Sequence, residues 1–213
     1  MAAPGEPITF PSGDLTLEGL LHRPSAVPHP AVVVCHPHPL FGGDMHNSVV
    51  TAVCHALVEA GIAALRFNFR GVGRSQGRFG DGVGEREDAI AALAYLRHRE
   101  GVDSAKVGLV GYSFGAAVAL VAADDQVAAL AAISPPPFGH VIPPPAIHCP
   151  ALLMTGDRDD VAPPAHVTAL ARTLSAQCRV EVVPGADHFW WGHEEKLAEA
   201  VARFFRDSLL PRQ

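Results

Sequence analysis

Basic charge is scarce in this chain. Lysine and arginine together number 16, against 22 aspartates and glutamates, for a formal net charge of −6 over 213 residues. A nucleic-acid binder needs a cationic surplus to displace phosphate counterions, so that class is excluded. Cysteine is sparse as well. The 4 present (Cys35, Cys54, Cys149 and Cys178) are far apart and none forms a CxxC pair. That spacing offers neither a zinc site nor a small disulfide scaffold, and free thiols in a cytoplasmic protein are the expectation. The longest apolar run, 116–123, is well short of the roughly 18 residues a membrane span needs. Residues 1–6 carry neither the basic nor the apolar region of a secretion signal. Internal repeats are missing too. What is left is 48% hydrophobic and 18% charged, a composition and length that point to one globular domain over 1–213.

Strand-like and helix-like patterns alternate from about residue 30 onward. Short apolar runs at 31–35, 62–67, 106–110, 127–133, 151–154 and 179–183 are bounded by glycine, proline or polar residues. Such runs have the form of buried parallel strands. Ile90, Leu93 and Leu96 recur at helical spacing, and Leu197, Val201, Phe204 and Phe205 form an i, i+4, i+7, i+8 stripe. Nearer the N-terminus, 8–10 and 15–21 flank the turn cluster 11–14, as in a hairpin. Together the patterns predict an α/β domain whose mostly parallel, eight-stranded sheet has an antiparallel N-terminal edge and helices on both faces. Residues 135–150 break the alternation with seven prolines. Proline removes amide donors and fixes φ, so this stretch reads as a stiff surface loop, too short for a cap domain.

One pentapeptide carries chemistry. Gly111-Tyr112-Ser113-Phe114-Gly115 lies directly between the strand 106–110 and the helix-forming run 116–123. This is the strand–turn–helix context in which G-x-S-x-G projects a serine above the carboxyl end of a sheet, beside helix N-terminal amides. A serine hydroxyl is a weak nucleophile until a base takes its proton. Of the 12 histidines, His188 follows the strand 179–183 and so lies at the same edge as Ser113. The imidazole in turn needs a carboxylate to hold its tautomer. Asp157, Asp159 and Asp160 compete for that role on the loop after 151–154. One oxyanion donor is expected to be the amide of Phe114. The second should come from the loop after Cys35, where Pro37 and Pro39 have no N–H, leaving His38 or Leu40.

With these segments in view, the chain resembles the α/β-hydrolase-fold serine hydrolases over essentially its whole length. HPHPLFGG at 36–43 is similar to the segment after the third strand in small, capless bacterial hydrolases related to dienelactone hydrolases. FNFRGVGRSQG at 67–77 is similar to the loop after the fourth strand in the same superfamily. The resemblance implies Asp159 as the acid, three residues after Gly156 and four before Pro163. Asp157 is then expected to follow the strand's alternation and help fix its loop, and Asp160 to face solvent or cap the next helix. Hydrolysis of carboxylic esters through an acyl-enzyme is the activity implied. Without a cap, the cleft is expected to be open and shallow, suited to short acyl chains. A small-molecule ester is the expected partner, with no cofactor, metal, nucleic acid or membrane.

Rival readings attach to other residues. His36, His38, Asp44 and His46 are dense enough to be weighed as metal ligands, which would make the protein a metal-dependent hydrolase. The bland account has His36 ending a buried strand, His38 at the cleft and Asp44 capping a helix that begins near His46. The glycines of 71–77 are spaced G-x-G-x-x-x-G, unlike a dinucleotide loop, and read as support beside the cleft with Arg70 in a buried network. One of Trp190 and Trp191 is expected in the core and the other on the cleft wall. A non-catalytic binding module on the same fold is the third reading.

Overall fold

The computed structural model describes residues 5–137, 146–174 and 177–210. Eight strands are β1 (Glu6–Ser12), β2 (Leu15–His22), β3 (His29–Cys35), β4 (Ala63–Phe67), β5 (Val102–Tyr112), β6 (Leu130–Ile133), β7 (Ala151–Gly156) and β8 (Cys178–Val183). Five helices are α1 (Ser48–Glu59), α2 (Val83–Arg97), α3 (Phe114–Ala122), α4 (Pro164–Leu174) and α5 (Glu194–Leu209). The strands form one sheet in the order β1-β2-β4-β3-β5-β6-β7-β8. Strand β2 runs antiparallel to both its neighbours, and every pairing from β4 to β8 is parallel. The expected eight-stranded sheet with its antiparallel edge is thus the observed one.

Alternation within the strands builds two cores. Ala31, Val33 and Cys35 of β3 face one layer with Leu93 and Leu96 of α2, Leu120 of α3 and Val167 of α4. Val32 and Val34 face the other, against Val53 and Leu57 of α1 and Leu197, Val201 and Phe205 of α5. A strand covered on both sides needs apolar side chains on both, which is why residues 31–35 of β3 are apolar without a break. The α5 stripe read from its spacing is the buried face of that helix. Two acids, Glu194 and Glu195, open its first turn and Arg206 lies in its last, as the helix dipole favours.

Two local expectations are corrected. Helix α1 begins at Ser48, two residues past His46, and is capped by Asn47, whose Oδ1 accepts from the Val49 amide at 3.0 Å. Asp44 instead closes a turn by accepting from His46 N at 2.7 Å. Strand β6 begins at Leu130 rather than 127, because the chain still turns after α3, with Val127 N donating to Asp124 O. Of the proline-rich stretch, 135–137 and 146–150 carry neither helix nor strand, and 138–145 lie outside the described residues. The parallel strands β5, β7 and β8 all end on one rim, so the loops that follow them meet there.

Candidate active site

Ser113 sits where β5 turns into α3, at φ 54° and ψ −119°. A non-glycine residue there is strained by roughly 1–3 kcal/mol and must be held by its surroundings. Its amide donates to Ile133 O at 2.8 Å, and its carbonyl accepts from Ala116 N at 2.9 Å and Ala117 N at 3.2 Å. The flanking glycines are dictated by contact. A Cβ on Gly111 would strike the Gly115 carbonyl, and one on Gly115 would strike the carbonyls of Cys35 and His36.

The turn aims the hydroxyl at the loop after β8. Ser113 Oγ donates to His188 Nε2 at 2.9 Å. On the other side of the imidazole, Nδ1 is 3.0 Å from both carboxylate oxygens of Asp159. Asp159 is 2% exposed. Burial alone would push its carboxyl up, but the His188 hydrogen bond, the Ala162 amide and the Ser134 hydroxyl outweigh it and hold the group below its ordinary range. An ionised Asp159 can only accept, so the proton sits on Nδ1 and Nε2 is the free base facing Ser113. Of the three competing aspartates, only Asp159 reaches the imidazole among the described residues. Asp157 accepts from Gly185 N at 2.7 Å and ties the β7 loop to the β8 loop, while Asp160 is exposed.

Around these three side chains lie supports that the sequence reading passed over. Tyr112 donates its hydroxyl to His188 O at 2.7 Å, anchoring the histidine loop to β5. Asp187 Oδ1 accepts the amides of Phe189 and Trp190, which shapes that loop. Ser134 directly follows β6 on the same rim, and that position just past a strand's carboxyl end was the signal that could have found it. Trp190 is buried as one of the pair was expected to be, but Trp191 is 75% exposed and does not line the cleft, whose wall is formed instead by Phe189 just before them.

The two amides considered for the second oxyanion donor differ in what they already bind. Leu40 N donates to His38 Nδ1 at 3.2 Å, in the short 3-10 turn Pro39–Phe41. The amides of Phe114 and His38 have no acceptor among the described residues. The His38 ring packs against Phe41, Phe79 and Phe114, with centroids 4.8–5.0 Å away, and burial lowers its basicity. His36 is committed elsewhere. Its Nδ1 meets Pro37 O at 2.6 Å and its Nε2 accepts from Phe69 N at 3.1 Å, so neither ring nitrogen is open to a metal. Among the described residues no group of three or more His, Cys, Asp or Glu is placed to hold one. Arg70 joins the network expected of it: buried Asp88 accepts from Arg70 Nη2 at 2.8 Å and from Ser12 Oγ at 2.7 Å.

Over Ser113 opens a cavity of about 600 Å³, lined by Tyr112, Phe114, Val161, His188 and Phe189 among others. Its walls are mainly apolar.

Comparison with known proteins now decides the family. The model of the dienelactone hydrolase family matches residues 17–207. The chain belongs to that family. It is 38% identical to an α/β serine hydrolase homologue from Coxiella burnetii, covering 95% of this chain and 98% of that one with a TM-score of 0.83. An α/β serine hydrolase without a lid from Xanthomonas campestris is 33% identical, with a TM-score of 0.84 over 100% of this chain and 99% of that one. An uncharacterised protein of Rickettsia prowazekii is 36% identical over 209 residues, 91% of this chain and 86% of its own length. The family is one of hydrolases, and the lidless neighbour has the same plan as the sheet described above. Among the described residues no helix is long and apolar enough to cross a membrane.

Proposed function

We propose that this hydrolase cleaves carboxylic esters with short acyl groups through a Ser113–His188–Asp159 triad. The hydrogen-bonded line from Ser113 Oγ through His188 to Asp159, at 2.9 and 3.0 Å, carries the reading. Ser113 Oγ attacks the ester carbonyl as its proton passes to His188 Nε2. The new imidazolium is stabilised by Asp159, and the carbonyl oxygen gains charge facing the amides of Phe114 and His38. Collapse breaks the bond to the alcohol oxygen, which takes the proton from His188. Water then attacks the acyl-serine by the same route, releasing the acid and restoring the serine. The short connection between β6 and β7 supports the preference for small acyl groups, since the chain has no room there for a cap.

Ser113→Ala tests the reading directly. Wild-type protein is expected to give a burst of p-nitrophenol from p-nitrophenyl acetate, and the variant none. Retained turnover in the variant would sink the assignment. The metal-dependent alternative makes the opposite forecast for a chelator. Dialysis against EDTA is expected to leave activity intact, because the His36 nitrogens are taken up by backbone groups.

A further inference from the structure

The cavity over Ser113 is larger than a two- to four-carbon acyl group needs, and chemistry says where the rest of the substrate must lie. The departing alcohol oxygen takes its proton from His188 Nε2, so it comes within hydrogen-bond reach of that atom. Whatever the oxygen carries therefore meets the surroundings of His188. The ring of Phe189 stands there, its centroid 5.9 Å from the imidazole at 82°. Trp191 packs against it with centroids 5.6 Å apart and planes tilted by 31°, adding exposed aromatic surface beside it. Val161, 46% exposed, lines the same cavity.

The fold does not require this arrangement. Trp190, between the two rings, is the residue that fills the core, while Phe189 is 57% and Trp191 75% exposed. Large apolar surfaces left open beside a reactive serine mark a binding surface. Charge narrows the ligand further. Among the described residues lining the cavity there is no Asp, Glu, Lys or Arg. A charged alcohol would lose hydration there and gain no partner, whereas a neutral ring would stack and shed water.

We infer that the alcohol half of the substrate is a flat, uncharged ring system, and that Phe189 is the side chain selecting it. This rests on the ester reading above and names the leaving group for the same site.

The test compares aryl acetates with alkyl acetates of matched leaving-group acidity, so that bond breaking is equally easy in both. Wild-type protein is expected to favour the aryl ester about tenfold in kcat/KM, chiefly through KM. In Phe189→Ala that ratio is expected to collapse towards one, and Phe189→Trp is expected to restore it. An aryl acetate bearing a ring carboxylate is expected to be about tenfold poorer than its neutral parent. Equal kcat/KM for matched aryl and alkyl esters in the wild type overturns the inference, and so does an aryl preference that Phe189→Ala leaves unmoved. The wild-type comparison stands even if the alanine variant fails to fold. Labelling of Ser113 by a fluorophosphonate separates the two levels. A labelled enzyme indifferent to the ring refutes the ring alone, and one that labels but cleaves no ester refutes the ester reading and this inference with it.

Discussion

Trp190 donates its indole N–H to Ser134 Oγ at 3.0 Å, across 56 residues of chain. The Ser134 hydroxyl also faces Asp159 and helps hold that buried carboxyl below its ordinary range. Ser134 and Trp190 both have positive φ, at 48° and 61°, so each backbone is held in a costly conformation beside the site. Ser134→Ala leaves the buried indole N–H without an acceptor and removes one of the groups that stabilise the Asp159 carboxylate, whose His188, Val161 and Ala162 donors remain. A stability loss of about 1–3 kcal/mol is expected in urea denaturation, with kcat about tenfold lower and KM nearly unchanged. In a double-mutant cycle with Trp190→Phe, the losses should sum to less than their separate values, since removing both partners leaves nothing unpaired.

The three aspartates of the β7 loop should separate cleanly by kinetics. Asp159→Asn removes the charge that fixes the His188 tautomer, and kcat is expected to fall on the order of 10⁴-fold. Asp157→Asn keeps an oxygen for the Gly185 amide, and Asp160 is exposed with no hydrogen bond to His188 among the described residues, so both variants should stay within about tenfold of wild type. A dead Asp160→Asn would move the acid by one residue.

Gly115 should tolerate nothing larger. Its Cβ would meet two backbone carbonyls, those of Cys35 and His36, and backbone cannot swing aside as a side chain can. Gly115→Ala is expected to cost about 3–5 kcal/mol, measured as a lowered denaturant midpoint. Gly42→Ala is the contrast. It has positive φ but open space around it, and the expected cost is only about 1 kcal/mol.

Stability should fall with acid before the carboxylates titrate. Burial lowers the His36 pKa from 6.5 to about 4, although its Pro37 hydrogen bond and Asp44 act the other way. Between those values the unfolded chain binds a proton that the folded protein refuses, so stability is full above pH 6.5 and drains away as pH falls to about 4. The loss from His36 is about 3 kcal/mol, on the order of 1.4 per pH unit. His29 and His38 are shifted the same way and add to the same limb. Guanidinium melts from pH 7.5 to 4 should show the slope, and His36→Asn should flatten it at the cost of lower stability at pH 7.5.

The parts of this protein legible in its sequence are those set by local sterics and period. The buried strands announce themselves as short apolar runs, because a parallel sheet covered on both faces needs apolar residues at every position. The elbow at Ser113 is written in five residues, since Gly111 and Gly115 answer clashes within the turn and with the neighbouring strand. Rim position pointed to His188, whereas the residues alone left Asp157, Asp159 and Asp160 open and only the family resemblance implied Asp159. Other features depended on which distant groups the fold brings together. Asn47 rather than Asp44 caps α1 because the helix start depends on how the preceding loop is held, with Met45 N donating to Asn68 across 23 residues. Trp190 rather than Trp191 fills the core because the Asp187 turn and the Ser134 hydroxyl aim it inward. The Leu40 amide turned out to be occupied by the neighbouring His38 ring, a geometry that two candidate amides in one loop do not reveal. Sequence patterns record what each residue needs, whereas hydrogen bonds across 56 or 76 residues record which partner the folded chain supplies.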